Sequence, residues 1–539
     1  MKKLLVALMA LLMCLSLVAC GSNENTGDTT GDTAKKVLRF NVGYDPDTFD
    51  PQASNVLENY IINNQIYDYL YREDVNGNFE PSLAERYEMS GDGLVYTFYL
   101  RSGLKFADGS PLTASDVKFS WIRALDPANA FEYAYQLYYI KNGAAFNAGE
   151  CTADEVGIEV VDDTTLVVTL ENPTAYFLSL TGFGTYGIVS EEFVKAQENY
   201  GADIASTLAS GPFKVTEWNK GQYVKFEKNE NYWDAANVNL DELYIYAVSE
   251  SSTEITMFEK DALDMTYMNM SSADTIAYSQ QNKLKYWESL NTRYVMVNDQ
   301  NPVLSDPNVR KALMFALDLD TLAENVVMNC VAATGYIPNG MAKVTDPTKN
   351  FRDEAYLATS GDVELAQKCL AEAGYPNGEG FPTDFELIYT TNDANKALAE
   401  AIVEMWRTNL GINVTAANLD GTVRRDRKNT GDYEFSLDGW STDYIDPYSF
   451  LEIFTTGNAY NQSKYSNPAY DELCNTAATS LDQETRETAM EAAEKLLIQD
   501  EMACLPLYNT IRAYLAKDSI TGVVLSKMGA CDFKWANID

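Results

Sequence analysis

The sequence predicts an α/β protein built as two lobes. Strands of period two recur in both halves of the chain, capped helices lie between them, and 46% hydrophobic with 12% aromatic residues can bury more than one core. A length of 539 residues suits two to four domains of about 100–200 residues each.

Taken in order, Val37–Val42 alternates apolar and polar residues as a half-buried strand does, and Leu94–Leu100 repeats the pattern. Between them, Asp74–Gly77 reads as a hairpin turn, because Arg72 and Leu83 occupy the two positions that a calcium loop needs acidic. Thr113 and Asp116 form a capping box ahead of the apolar run Val117–Ile122, each side chain satisfying an N–H that the first helical turn leaves free. Thr164–Leu170 and Tyr223–Lys228 are further strands. Gly182–Gly187 matches G-x-G-x-x-G between the apolar run Ala175–Leu180 and a helix from Ser190; standing alone, it reads as a glycine-rich connection near a domain boundary. Asp306 caps a helix with Pro307 at its first position and an apolar face over Val309–Leu317. Phe385–Tyr389, Ala394–Leu410 and Ile412–Ala416, with Gly411 stopping the helix, make a βαβ unit, and such crossovers imply a parallel sheet covered on both faces. No internal repeat is visible.

Composition excludes much chemistry. The chain contains no histidine, so Ser-His-Asp and Cys-His nucleophiles, histidine-ligated catalytic zinc and a histidine pH switch are all ruled out. A formal charge of −39 disfavours nucleic acid and anionic lipid as partners, since both are bound by clustered Lys and Arg. No phosphate loop occurs. Beyond Cys14 and Cys20, the six cysteines Cys151, Cys330, Cys369, Cys474, Cys504 and Cys531 include no C-x-x-C pair, so neither a metal site nor a redox motif is predicted and no disulfide pairing can be read. Hydrolysis by a carboxylate pair is the enzymatic class that needs no imidazole.

The N-terminus reads as an export signal. Lys2 and Lys3 precede an apolar run from Leu4 to Ala19, and Leu17-Val18-Ala19 stands directly before Cys20. This ending resembles a bacterial lipobox, which implies acylation of Cys20 as the mature N-terminus, with residues 20–36 as a flexible tether. One acyl chain holds a membrane marginally, and more than one holds it stably. Loss of residues 1–19 removes two Lys and no acid, taking the charge from −39 to −41. No other stretch is apolar over a bilayer's thickness.

Several segments in order carry a resemblance. Leu38–Pro51 (LRFNVGYDPDTFDP), Pro81–Glu85 (PSLAE), Tyr96–Arg101 (YTFYLR), Lys105–Pro111 (KFADGSP) and Thr113–Arg123 (TASDVKFSWIR) open it. Asp264–Tyr267, Asp306–Ala316 (DPNVRKALMFA) and Tyr433–Asp446, with the core Gly439-Trp440-Ser441-Thr442-Asp443-Tyr444, continue it. Together they resemble the bacterial extracellular solute-binding proteins of family 5, the oligopeptide-binding lipoproteins of ABC importers. The likeness runs from Val37 to the C-terminus and is loose over Glu324–Asp384.

That resemblance implies a two-lobed, periplasmic-binding-protein-like α/β fold, large and type II-like, with an extra domain and a ligand cleft between the lobes. Residues 37–67, 191–291 and 507–539 would form the core of one lobe, 68–190 the extra domain attached to it, and 292–506 the other lobe, with crossings near Leu290 and Pro506. It also implies a non-enzymatic, cofactor-free, monomeric receptor outside the cytoplasm, anchored by its lipid, that binds oligopeptides and passes them to permease subunits. Asp443 would pair with the peptide α-ammonium, Gly439, Trp440 and Ser441 would offer a strand edge, and Trp440 would wall a pocket. Tyr133 would touch the peptide backbone, while Tyr267, Met268 and Asn269 form one further contacting stretch and Asn55 and Leu57 another. At the peptide carboxylate the chain departs from the family: basic positions there read Lys428, Asn429 and Leu437, so Lys428 alone keeps a charge, and Arg424, Arg425 and Arg427 read as a solvated basic turn. Met268 stands where the family often has asparagine. The same fold binding a dipeptide, a metal chelate or a saccharide stays open, as does a carboxylate-based surface glycoside hydrolase.

Overall fold

Three sheets organise the chain in the computed structural model, which describes residues 35–539 apart from Asn55 and Asn269. The expected signal at 1–19, Cys20 and nearly all of the tether lie outside the described residues. The first sheet pairs Val37–Asn41 in parallel with Glu242–Tyr246, which is followed by the antiparallel strands Tyr223–Lys228 and Phe213–Asn219. Its inward residues Leu38, Phe40, Phe226 and Leu243 pack in one core with Ile61, Ile62 and Ile66 of the helix Leu57–Ile66. Its first strand pairs with one that comes some 200 residues later, and the chain between them up to Phe213 leaves this sheet before returning to it.

That intervening chain forms the second sheet, four antiparallel strands in the order Ala84–Met89, Val95–Leu100, Thr165–Thr169, Ile158–Asp162. The helix Ala114–Leu125 covers it, and its capping box forms as read, with both Thr113 and Asp116 engaged. Trp121 on that helix is fully buried and donates its indole N–H to the Tyr186 carbonyl at 3.1 Å, a partner such a side chain needs once out of water. The hairpin Tyr71–Glu73 to Phe79–Pro81 turns through Gly77 at φ +82°, as the Asp74–Gly77 reading requires.

The third sheet has seven strands. Lys285–Glu288, Cys504–Tyr514, Asn291–Val297, Phe435–Ser441, Glu386–Thr390 and Thr415–Leu419 lie in that order, and Cys330–Ala332 pairs with the second of them. The helix Asp393–Leu410 ends at Gly411 with φ +72°, so the predicted stop is a left-handed cap. The βαβ reading holds, but its last strand is Thr415–Leu419 rather than Ile412–Ala416. Ile412 and Val414 are buried in the core on the way in, and the ladder begins only at Glu386↔Thr415. Apolar character there marks core packing, not ladder pairing.

The strand Cys504–Tyr514 runs beside Asn291–Val297 up to Tyr508 and beside Lys285–Glu288 from Ile511, so the strand joins two regions of the molecule. Residues of segment 68–190 touch residues of segment 292–506. The Tyr176 and Tyr444 rings stack 4.2 Å apart and 5° from parallel, and a Cβ on Gly93 would stand 2.5 Å from Leu481. All six described cysteines are free.

Candidate functional site

The strand Phe435–Ser441 builds the site. It pairs antiparallel with Asn291–Val297 along its whole length, but with Glu386–Thr390 only at Phe435 and Ser436. From Leu437 to Ser441 it therefore has a ladder partner on one side only among the described residues. At Gly439 a Cβ would lie 2.9 Å from Arg293 Cδ, so glycine is what lets the Arg293 side chain cross the strand. Trp440 donates its indole N–H to the Ser449 carbonyl at 2.8 Å, which fixes the ring 5.2 Å from that of Tyr460. The chain then turns. Thr442 N–H donates to the Leu290 carbonyl at 3.0 Å, and Asp443 N–H donates to the Ser449 hydroxyl at 3.1 Å.

This turn delivers the Asp443 carboxyl to the boundary of two cavities. One, of about 240 Å³, is lined by Leu57, Tyr60, Tyr133, Phe183 and Met528 as well as Ser441. The other, of about 320 Å³, is walled by Tyr135, Tyr139, Trp440, Tyr444 and Tyr460 and holds Glu452. Asp443 belongs to both. The Tyr135 hydroxyl donates to it at the long distance of 3.5 Å, and among the described residues no Lys or Arg pairs with it. Burial pushes the Asp443 carboxyl up to about 6, against the smaller opposing effect of hydrogen bonds from Tyr135 and Gln136. A desolvated carboxylate without a counter-ion is unstable alone and favours a bound cation. Among the described residues there is no group of three or more His, Cys, Asp or Glu arranged to hold a metal ion.

Residues 78–462 match the family model described as bacterial extracellular solute-binding proteins, family 5. The chain belongs to this family. Among relatives of this solute-binding family, the oligopeptide-binding protein OppA of Bacillus subtilis is 32% identical, with 99% of each chain covered. The dipeptide-binding protein DppE of the same organism is also 32% identical, again over 99% of each chain. The solved structure of Listeria monocytogenes OppA bound to peptide aligns with a TM-score of 0.76 at 31% identity, covering 94% of this chain and 99% of that one. These neighbours are two-lobed binding proteins of mixed α/β content, the architecture seen in this solute-binding chain.

Of the residues predicted from sequence, Asp443 stands where the two cavities meet, Trp440 lines one, and Ser441, Leu57 and Tyr133 line the other. Gly439 lies on the open strand edge but lines neither. Tyr133 stacks on Phe183 at 5.7 Å, and burial pushes its hydroxyl up to about 12. Three residues fall elsewhere. Tyr267 is a core aromatic of the first sheet, 5.6 Å from Phe40 and capped at 3.9 Å by the Arg512 guanidinium. Met268 packs its sulfur against Gly43 and donates its N–H to the Glu254 carboxylate at 3.2 Å. Lys428 is buried and bonded to Asp438 at 2.6 Å, so its charge is already matched inside the protein. The predicted basic turn is a helix, Gly421–Thr430, and it is not simply solvated: Arg424 reaches Asp438 at 3.1 Å and Arg427 reaches Glu386 at 3.0 Å. Asn55 and Asn269 lie outside the described residues.

Sequence reasoning missed Tyr60, Phe183, Tyr135 and Glu452. The glycine-rich segment held one signal. A Cβ on Gly184 would come within 2.7 Å of the Tyr60 ring, so the glycines let this loop close down as a cavity wall.

Proposed function

We propose that this chain is an extracytoplasmic receptor that binds oligopeptides between its lobes and delivers them to an ABC importer. One observation carries the reading: a half-buried carboxyl, Asp443, with no Lys or Arg paired to it among the described residues, stands beside an unpaired strand edge where two cavities meet. An extended peptide can add to such an edge through groups every peptide has, so affinity is general while the pockets choose among side chains. The α-ammonium then sits on Asp443 in a charge-assisted hydrogen bond worth roughly 1.5–3 kcal/mol. Gly439, Trp440 and Ser441 supply the edge, and Leu57 and Tyr133 line the path that follows.

In the same reading, residues 37–67, 191–291 and 507–539 with the appended 68–190 move against 292–506. The ladder along Cys504–Tyr514 changes partner between Tyr508 and Ile511, which supports a second crossing near Pro506. Acylation at Cys20 holds the receptor at the membrane as a monomer, and it performs no chemistry; no turnover of glycans or peptides is expected from the purified protein.

Titration calorimetry with a free tetrapeptide and its N-acetylated form tests the claim. Acetylation, or Asp443→Ala, is expected to weaken binding about 10- to 100-fold, the equivalent of that bond energy. Equal affinities for free and blocked peptides would remove amine capture from the reading. Native mass spectrometry of gently purified protein reads the class of any co-purified solute directly.

A further inference from the structure

The larger cavity has a composition that backbone capture alone does not require. Its walls are aromatic: Tyr135, Tyr139, Trp440, Tyr444 and Tyr460. Two carboxyls face it, Asp443 and Glu452, and none of its lining residues is Lys or Arg. Glu452 is held by the Tyr444 hydroxyl, which donates to its Oε1 at 2.7 Å, and Tyr444 is in turn fixed by stacking on Tyr176. Burial pushes the Glu452 carboxyl up to about 8, the Tyr444 bond opposes this, and the neighbouring carboxylates Asp443 and Asp446 reinforce it. Arg486, whose guanidinium stands 5.7 Å from the Tyr176 ring, is already matched to Asp446 at 3.0 Å. The cavity is thus an aromatic chamber with one carboxyl at its mouth and a second in its wall, both without a basic partner among the described residues.

A flexible cation suits this arrangement on two counts. Aromatic faces attract ammonium and guanidinium groups, more strongly when water is excluded, and a buried carboxyl gains a charge-assisted bond. An acidic side chain would bring a second negative charge beside Asp443 and could not ionise Glu452, and an aliphatic one would leave Glu452 as it is. Position along the ligand follows from connectivity. With the α-ammonium on Asp443 and the main chain running along the Ser441 side, the group nearest the larger cavity is the first side chain, attached one carbon from that nitrogen.

We propose that the cavity holding Glu452 is a selectivity pocket for a cationic first residue, so that the ligands are oligopeptides beginning with Lys, Arg or a similar diamino acid. This rests on the peptide-receptor reading above, and Glu452 sets the preference while Asp443 sets the register.

The test is calorimetric titration of the full chain with three tetrapeptides, Xaa-Ala-Ala-Ala, where Xaa is lysine, norleucine or glutamate. Norleucine keeps the length of lysine without its charge. The lysine peptide is expected to bind at least tenfold more tightly than the norleucine peptide, with the glutamate peptide weakest. In Glu452→Gln the lysine-to-norleucine ratio should fall towards one, and because both peptides are read on the same variant, the norleucine peptide reports whether the variant still folds and binds. Equal binding of the lysine and norleucine peptides by the unmodified protein overturns the pocket and leaves the receptor reading standing. A lysine preference that survives Glu452→Gln overturns the role of Glu452. Binding of none of the three would overturn the peptide reading itself, and this proposal with it.

Discussion

At Asp443, charge and solvent exclusion oppose each other, and the conflict has a measurable pH signature. An unfolded aspartate titrates near 3.9, whereas burial in the folded protein raises Asp443 to about 6. The folded state therefore binds the extra proton between those values, and Asp443's contribution to stability falls as pH rises through that window and levels off above it. Ligand binding runs the other way, because only the ionised carboxylate pairs with ammonium. Affinity for a peptide with a norleucine first residue should fall about tenfold between pH 7 and pH 5, and above about pH 7 it should decline again as the α-amine loses its proton. Calorimetry across that range on the unmodified chain and on Asp443→Asn checks it: the variant's profile should be flat over pH 5–7, and a parallel fall in both would assign the effect to another group. Glu73 shows why a raised carboxyl alone is no functional signal. It is pushed up to about 7 by burial, yet it lines a cavity of only about 20 Å³.

At the scale of elements, the loop through Gly182–Gly187 decides how wide the smaller cavity is. Gly184 has the Tyr60 ring 2.7 Å from where a Cβ would be, and that ring is stacked on Phe183 at 5.8 Å with its hydroxyl donating to the Gly182 carbonyl. Gly184→Ala should push Tyr60 into the cavity and cost several-fold in peptide affinity, with a much smaller effect on the melting temperature; a variant that melts early yet binds normally would place the strain in the core instead. Local signals made most elements legible. Thr113 with Asp116, Asp306 with Pro307, and Gly411 each announce a helix end through groups within four residues of one another, and the structure has a helix end at each. The strand Ile412–Ala416 was misplaced because burial and ladder pairing share an apolar pattern. At the site, Asp443 and Trp440 were legible through the family motif that holds them. Tyr135, Phe183 and Glu452 were not, since their roles arise only when distant segments meet. Tyr267 and Lys428 lie near matching motifs, but Arg512 and Asp438, which claim them here, are far away in sequence or unmarked by spacing.

At the scale of the molecule, the contact between the proposed lobes is aromatic. Tyr176 and Tyr444 stack at 4.2 Å, Tyr448 lies 6.1 Å from Tyr176, and the Arg486 guanidinium stands 5.7 Å from the Tyr176 ring. Such pairs contribute about 0.5–1.5 kcal/mol beyond their buried area. Tyr176→Ala should therefore favour the open state and reduce peptide affinity up to about tenfold, chiefly through faster release; stopped-flow dissociation measures this, and an unchanged release rate would mean the stack does not hold the lobes. Rotation about Ser289–Leu290 and the partner change in Cys504–Tyr514 should lower the radius of gyration when peptide saturates the unmodified protein, a shift that small-angle X-ray scattering detects.

The unmatched carboxyls of the cleft also bear on how the protein is handled. Any small primary ammonium ion, including the protonated form of Tris, carries the one group that Asp443 lacks, and at tens of millimolar it outnumbers a micromolar peptide many thousandfold. If Asp443 captures the peptide amine as proposed, purification and titration in an amine buffer would load the cleft with a weak competitor and flatten the differences between ligands. Phosphate or another amine-free buffer leaves Asp443 and Glu452 open to the peptide.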